Sequence, residues 1–139
     1  MGTYYHAFAV SKDRSRIASP VFQTHRTYVL SCNGQSVFDK EERLTEDDIR
    51  KLVELAKKDG RDGCNVCCLP RILDEGQYYG GYVPPFHVMT VSKFLELVRE
   101  AERVFLENDE DPTPFEPDDM TVWLGSHTDL DVVVYPEVN

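Results

Sequence analysis

The chain predicts an α+β domain: an antiparallel or mixed β-sheet with two α-helices packed on one face. Three observations carry this. Two long segments, near 45–60 and 90–108, hold apolar residues at helical spacing. Short runs rich in β-branched and aromatic residues stand before the first and after the second. The 139 residues fit a single domain, 1–139, able to bury a core without a disulfide or a metal.

Tyr4 to Val10 (Y-Y-H-A-F-A-V) reads as a first strand, with Tyr4, His6, Phe8 and Val10 on one side and Tyr5, Ala7 and Ala9 on the other. His6 on such a strand fits a packed, hydrogen-bonded histidine better than a ligand. S-K-D-R-S-R is a polar turn without the glycines of a phosphate cradle. Ile17 to Phe22 is interrupted by Pro20, which removes a ladder donor, so any strand there is an edge or ends there. Thr24 to Cys32 is a stronger strand. Asn33-Gly34, a favoured two-residue hairpin centre, turns it back into Gln35 to Phe38.

The first helix has both ends written in it. Thr45 is the N-cap, with Asp48 three residues on as a shortened capping box. Leu44 and Ile49 have the spacing of a hydrophobic staple. Ile49, Leu52, Val53 and Ala56 form one apolar stripe, and Gly60 supplies the stop. The second helix starts near Thr90 or Ser92 and presents Phe94, Leu97, Val98, Ala101 and Phe105 on one side. Met120 to Gly125 and Asp131 to Tyr135 then read as two strands joined by S-H-T-D-L.

Between the helices lies the only crowding of cysteines, aromatics and turn-formers. Cys64-x-x-Cys67-Cys68 is one short-spaced cysteine pair, whereas a zinc site usually takes two. Cys64, Cys67, Cys68 and His87 are the metal candidates; Cys32 and one of His6, His25, His87 or His127 would have to complete a site from a distance. Leu69-Pro70 follows at once, so no helix begins there to lower a thiol pKa for redox chemistry. Packing in a buried strand Cys64–Leu69 accounts for these thiols, and no cofactor is expected. Gly125-Ser126-His127-Thr128-Asp129 has catalytic residue types, but neighbours in a tight turn point apart. None of the nucleophile-elbow, P-loop, zincin or dinucleotide motifs is present. The reading leans against an enzyme.

Q-Y-Y-G-G-Y-V-P-P-F-H is the more informative stretch. Tyr78, Tyr79, Tyr82 and Phe86 offer large contact area at low entropic cost, as binding surfaces favour. Arg71 is the sole basic residue from Cys64 to Met89, so these rings do not suit a nucleic-acid site, which needs cationic neighbours.

Charge separates the two ends of the chain. The net charge is −10, and residues 109–139 hold nine acids and no lysine or arginine. D-E-D-P-T-P-F-E-P-D-D, from Asp109 to Asp119, is an extended acidic loop. It is not an EF-hand, since Pro114 stands where that motif needs glycine and Met120 where it needs glutamate. Such a surface repels nucleic acid and anionic membranes and attracts basic partners. With no apolar run near ~20 residues and no secretory leader pattern at the start, the expectation is a soluble cytoplasmic protein with reduced thiols.

In size and acidity the chain resembles small immunity, antitoxin-like and anti-defence inhibitor proteins, a similarity of class that no motif carries. The function expected is a non-enzymatic acidic inhibitor that binds a protein partner by occluding its basic site. Asp109, Glu110, Asp111, Glu116, Asp118 and Asp119 would steer the partner in, and Tyr78, Tyr79, Tyr82 and Phe86 would anchor it. The alternative is a small cysteine- and histidine-dependent enzyme or zinc-binding protein.

Overall fold

A computed structural model describes residues 5–24, 31–32, 35–58, 85–107 and 119–136. Its elements in chain order are β1 (Tyr5–Val10), β2 (Phe22–Thr24), β3 (Ser31–Cys32), β4 (Gln35–Ser36), α1 (Glu46–Lys58), β5 (His87–Thr90), α2 (Val91–Glu107), α3 (Asp119–Gly125) and β6 (Asp131–Pro136). The α+β class holds. The strands form a four-stranded antiparallel sheet of order β2-β1-β6-β5 and a separate pair, β3-β4.

The two longest strands, β1 and β6, lie at the centre. Their register sets Ala7 opposite Val134, Phe8 opposite Val133 and Ala9 opposite Val132. All six residues of β1 are buried, as are the four inner residues of β6. A strand apolar on both sides must be covered on both sides, and the core is accordingly split in two. Tyr5, Ala7, Ala9, Met89, Val132 and Val134 pack with Val91, Phe94, Val98 and Ala101 of α2 and Met120 and Leu124 of α3. Phe8, Val10, Val88, Val133 and Tyr135 pack with Ile49, Leu52, Val53 and Ala56 of α1.

The expectation that both long helices share one face is therefore not confirmed. Their apolar stripes belong to the two different clusters. The runs A-F-A-V and V-V-V-Y already lacked the polar alternation of a one-sided sheet.

Helix α1 forms where its caps require. The Asp48 amide donates to Thr45 Oγ1 at 3.1 Å, and the Thr45 amide donates back to Asp48 Oδ2 at 3.3 Å. Leu44 and Ile49 are both buried in the same cluster, as a staple demands. Full burial of side chains such as Ile49, Leu52 and Val53 contributes about 1.5–3 kcal/mol each. The segment before the helix also closes a sheet edge. Leu44 N–H donates to Phe86 C=O at 2.8 Å and Val88 N–H to Glu42 C=O at 3.0 Å, so 42–44 lies along the outer side of β5.

Helix α2 starts one residue after Thr90, whose Oγ1 accepts from the Lys93 amide at 3.1 Å. On its outer side Arg103 pairs with both Glu100 and Glu107, one turn away on either side. Strand β5 was not anticipated: H-V-M-T runs straight into this helix without a turn residue between them. Strands β3 and β4 pair antiparallel with Cys32 opposite Gln35, and the return strand ends at Ser36 rather than Phe38; Asn33 and Gly34, the expected turn, lie outside the described residues. Of the expected Thr24–Cys32 strand, 25–30 lie outside the described residues.

Pro20 has the predicted effect on the sheet edge. Pairing of β1 with β2 runs from Tyr5–Thr24 to Ala7–Phe22 and then stops. Beyond it Ala9 C=O accepts from Ala18 N–H at 2.8 Å, and Ala9 N–H donates to the buried Ser19 Oγ at 2.8 Å. A serine hydroxyl thus stands in for the ladder acceptor at the kink.

Candidate protein-binding surface

The structure changes what Met120–Gly125 is. It is the helix α3, not a strand. Met120 and Leu124 are buried one turn apart, and Trp123 packs half-buried beside them. Asp119 opens the first turn, where an acid is favoured.

G-S-H-T-D ends this helix rather than connecting two strands. Ser126 N–H donates to Trp123 C=O at 3.1 Å and His127 N–H to Leu124 C=O at 2.9 Å. Ser126 Oγ donates to Val122 C=O at 3.3 Å, and His127 Nδ1 lies 2.7 Å from Trp123 C=O. A carbonyl only accepts, so Nδ1 carries the proton. The carbonyls of Val122, Trp123 and Leu124 are thus satisfied by Ser126 and His127, which gives these two residues a capping role at the end of α3.

The only tryptophan of the chain lies in this helix. His127 stacks on it with ring centroids 3.8 Å apart and planes 9° from parallel, and Phe22 of β2 meets it at 6.0 Å. Next to it Val122 is 61% exposed, the most exposed large hydrophobic side chain among the described residues. Asp119 and Asp129, at the two ends of this unit, are exposed. Asp131, at the start of β6, is instead paired with Lys12 at 2.6 Å.

The residues expected at a binding site fall unevenly. Tyr78, Tyr79, Tyr82, Asp109, Glu110, Asp111, Glu116 and Asp118 lie outside the described residues. Asp119 is on the surface. Phe86 is not: it is fully buried and stacked on Tyr135, with centroids 4.5 Å apart. Its place is in the core under α1, so it presents no ring to a partner.

Of the metal candidates, Cys64, Cys67 and Cys68 also lie outside the described residues. His87 is buried on β5, with Nδ1 3.2 Å from Glu41 C=O, so that nitrogen holds its proton. His6 is buried and stacked on Tyr135 at 5.4 Å, in keeping with a packed histidine. Among the described residues no three His, Cys, Asp or Glu side chains are grouped to hold a metal. Nor, among them, is any helix long and apolar enough to cross a membrane.

Val122 and Trp123 are what sequence reasoning missed. The signal was available, since Met120, Trp123 and Leu124 have i, i+3, i+4 spacing. Comparison with protein families, curated proteins and solved structures gives no match for this chain.

Proposed function

We propose that this protein is a non-enzymatic binding protein that inhibits or neutralises a protein partner by occluding a basic site, in the manner of immunity and anti-defence inhibitors. The observation that carries the reading is the separation of charge: nine acids and no lysine or arginine over residues 109–139. Asp119 and Asp129, within that stretch, are exposed. Such a field raises the rate at which a cationic surface is met and opposes approach to phosphate backbones.

The test starts from the full chain as bait, followed by association kinetics with the purified partner over a range of ionic strength. Steering by the acids makes the on-rate fall as salt rises, while the off-rate changes less. Charge reversal at Asp109, Asp111, Asp118 and Asp119 should lower the on-rate by ~10-fold or more. An on-rate indifferent to both salt and charge reversal refutes the mechanism.

A further inference from the structure

We propose that the exposed Val122 of α3, with the half-buried Trp123 beside it, is the anchor point for a protein segment that presents arginine beside an apolar side chain. This rests on the functional reading above and deepens it, by replacing the buried Phe86 with a surface that a partner can reach.

Two independent features of α3 point to contact. Val122 is 61% exposed on a helix whose Met120 and Leu124 face the core. Water-exposed valine gains from being covered, by up to about 1.5–3 kcal/mol when burial is complete. Beside it stands a partly exposed tryptophan, the residue type most often found to dominate interface energetics. Trp123 is already held by Phe22 and His127. Binding it therefore costs little side-chain entropy.

Charge identifies the occupant. Asp119 opens α3 and Asp129 follows its end, both exposed, and the sequence from Asp109 to Glu137 contains no lysine or arginine. A partner covering Val122 with an apolar residue brings its neighbouring side chains against carboxylates. Arginine fits best, because its planar guanidinium pairs with a carboxylate and stacks on the exposed edge of an aromatic pair. An acidic partner, or a nucleic acid, would be repelled from the same place.

The single tryptophan gives a direct readout. In the ¹⁵N-labelled full chain its indole N–H yields one resolved resonance. The probe is a short synthetic peptide alternating arginine and leucine, with an arginine–serine peptide of equal charge for comparison. The expected result is a shift of the indole resonance and of backbone amides in 119–129. The arginine–leucine peptide should bind more tightly than arginine–serine, and Val122→Ser should weaken it about 5–10-fold, a loss of about 1–1.4 kcal/mol. Val122 is exposed, so the variant keeps the fold, which its unchanged distant amide resonances confirm. Shifts confined to other parts of the chain, equal binding of the two peptides, or an unchanged affinity in Val122→Ser would each overturn the anchor while leaving the acidic-inhibitor reading standing. If neither basic peptide binds at low salt, both fall.

Discussion

Phe86 lies flat against Tyr135, their ring centroids 4.5 Å apart and their planes 6° from parallel. The contact extends across the sheet, since His6 stacks on Tyr135 from β1 and Phe8 meets it edge-on at 6.2 Å. The row joins the first strand, the last strand and the segment entering β5, which are far apart in sequence. It lies beneath α1, in the cluster that holds Leu44 and Ile49.

Phe86→Ala should therefore act on stability and not on recognition. Removing a buried phenylalanine costs about 3–5 kcal/mol, a large part of a small domain's total. Urea unfolding should show the midpoint drop. Phe86→Leu, which keeps most of the volume, should lose appreciably less. At a temperature where both variants are folded, partner affinity should match the wild type. A stable Phe86→Ala with lost binding would return this ring to the surface.

The capping bonds of α1 give a second test. Thr45→Ala should cost about 1 kcal/mol by removing the oxygen that accepts from the Asp48 amide. Asp48→Ala removes the reciprocal bond to the Thr45 amide. Because each bond holds the other's geometry, the double variant should lose less than the sum, with a coupling of about 0.5 kcal/mol or more. Strict additivity in chemical denaturation would mean that the two bonds act separately.

How much of this was legible follows from where local and long-range forces agree. Helix α1 was readable to its cap because Thr45, Asp48, Leu44 and Ile49 act within one turn of each other. The strand Asp131–Pro136 was readable because V-V-V-Y has no helical periodicity to compete. Helix α3 was misread because Thr121, Val122 and Trp123 favour strands. The i, i+4 burial of Met120 and Leu124 against α2 overrode that preference. That α1 and α2 lie in different clusters was legible in part, since A-F-A-V and V-V-V-Y are apolar on both sides and require cover on both, but which helix takes which side is set by long-range chain path. Phe86 looked like a surface residue because Pro84-Pro85 and the tyrosines before it suggest a loop. Its burial comes from the pairing of β5 with a strand over 40 residues later.

Ser19 supplies a third prediction. Its hydroxyl accepts from Ala9 N–H at 2.8 Å and donates to Pro20 C=O at 2.8 Å. In Ser19→Ala the Ala9 amide, in a fully buried residue, loses that acceptor. The expected cost is about 1–3 kcal/mol, and hydrogen exchange at Ala9 should accelerate. Ser92→Ala, on the exposed side of α2, serves as the control and should stay within about 0.5 kcal/mol. Equal behaviour of the two serines would show that the kink at Pro20 needs no plug.

The fourth prediction concerns acid. Asp13 sits at the tip of the loop between β1 and Ile17, next to Arg14, whose φ of 60° is left-handed. Its Oδ1 accepts from Ser15 Oγ at 2.7 Å, Ser11 Oγ at 2.8 Å and the Ser15 amide at 3.0 Å. These donors, the Ser15 hydroxyl first, hold the carboxyl pKa down to about 2 from an ordinary 3.8. A carboxyl whose pKa is lower in the folded state stabilises that state above its unfolded value, and the contribution is lost as pH falls through the folded value. The stabilising window thus lies above about pH 4 and fades towards pH 2. Asp13→Asn should melt lower than the wild type at pH 7, and the two melting curves should converge as the pH is taken from 4 to 2. Titration of the Asp13 side-chain carbonyl resonance should show a midpoint near 2. A midpoint at the ordinary aspartate value, or a melting difference that persists unchanged at pH 2, would show that the serines do not hold the charge.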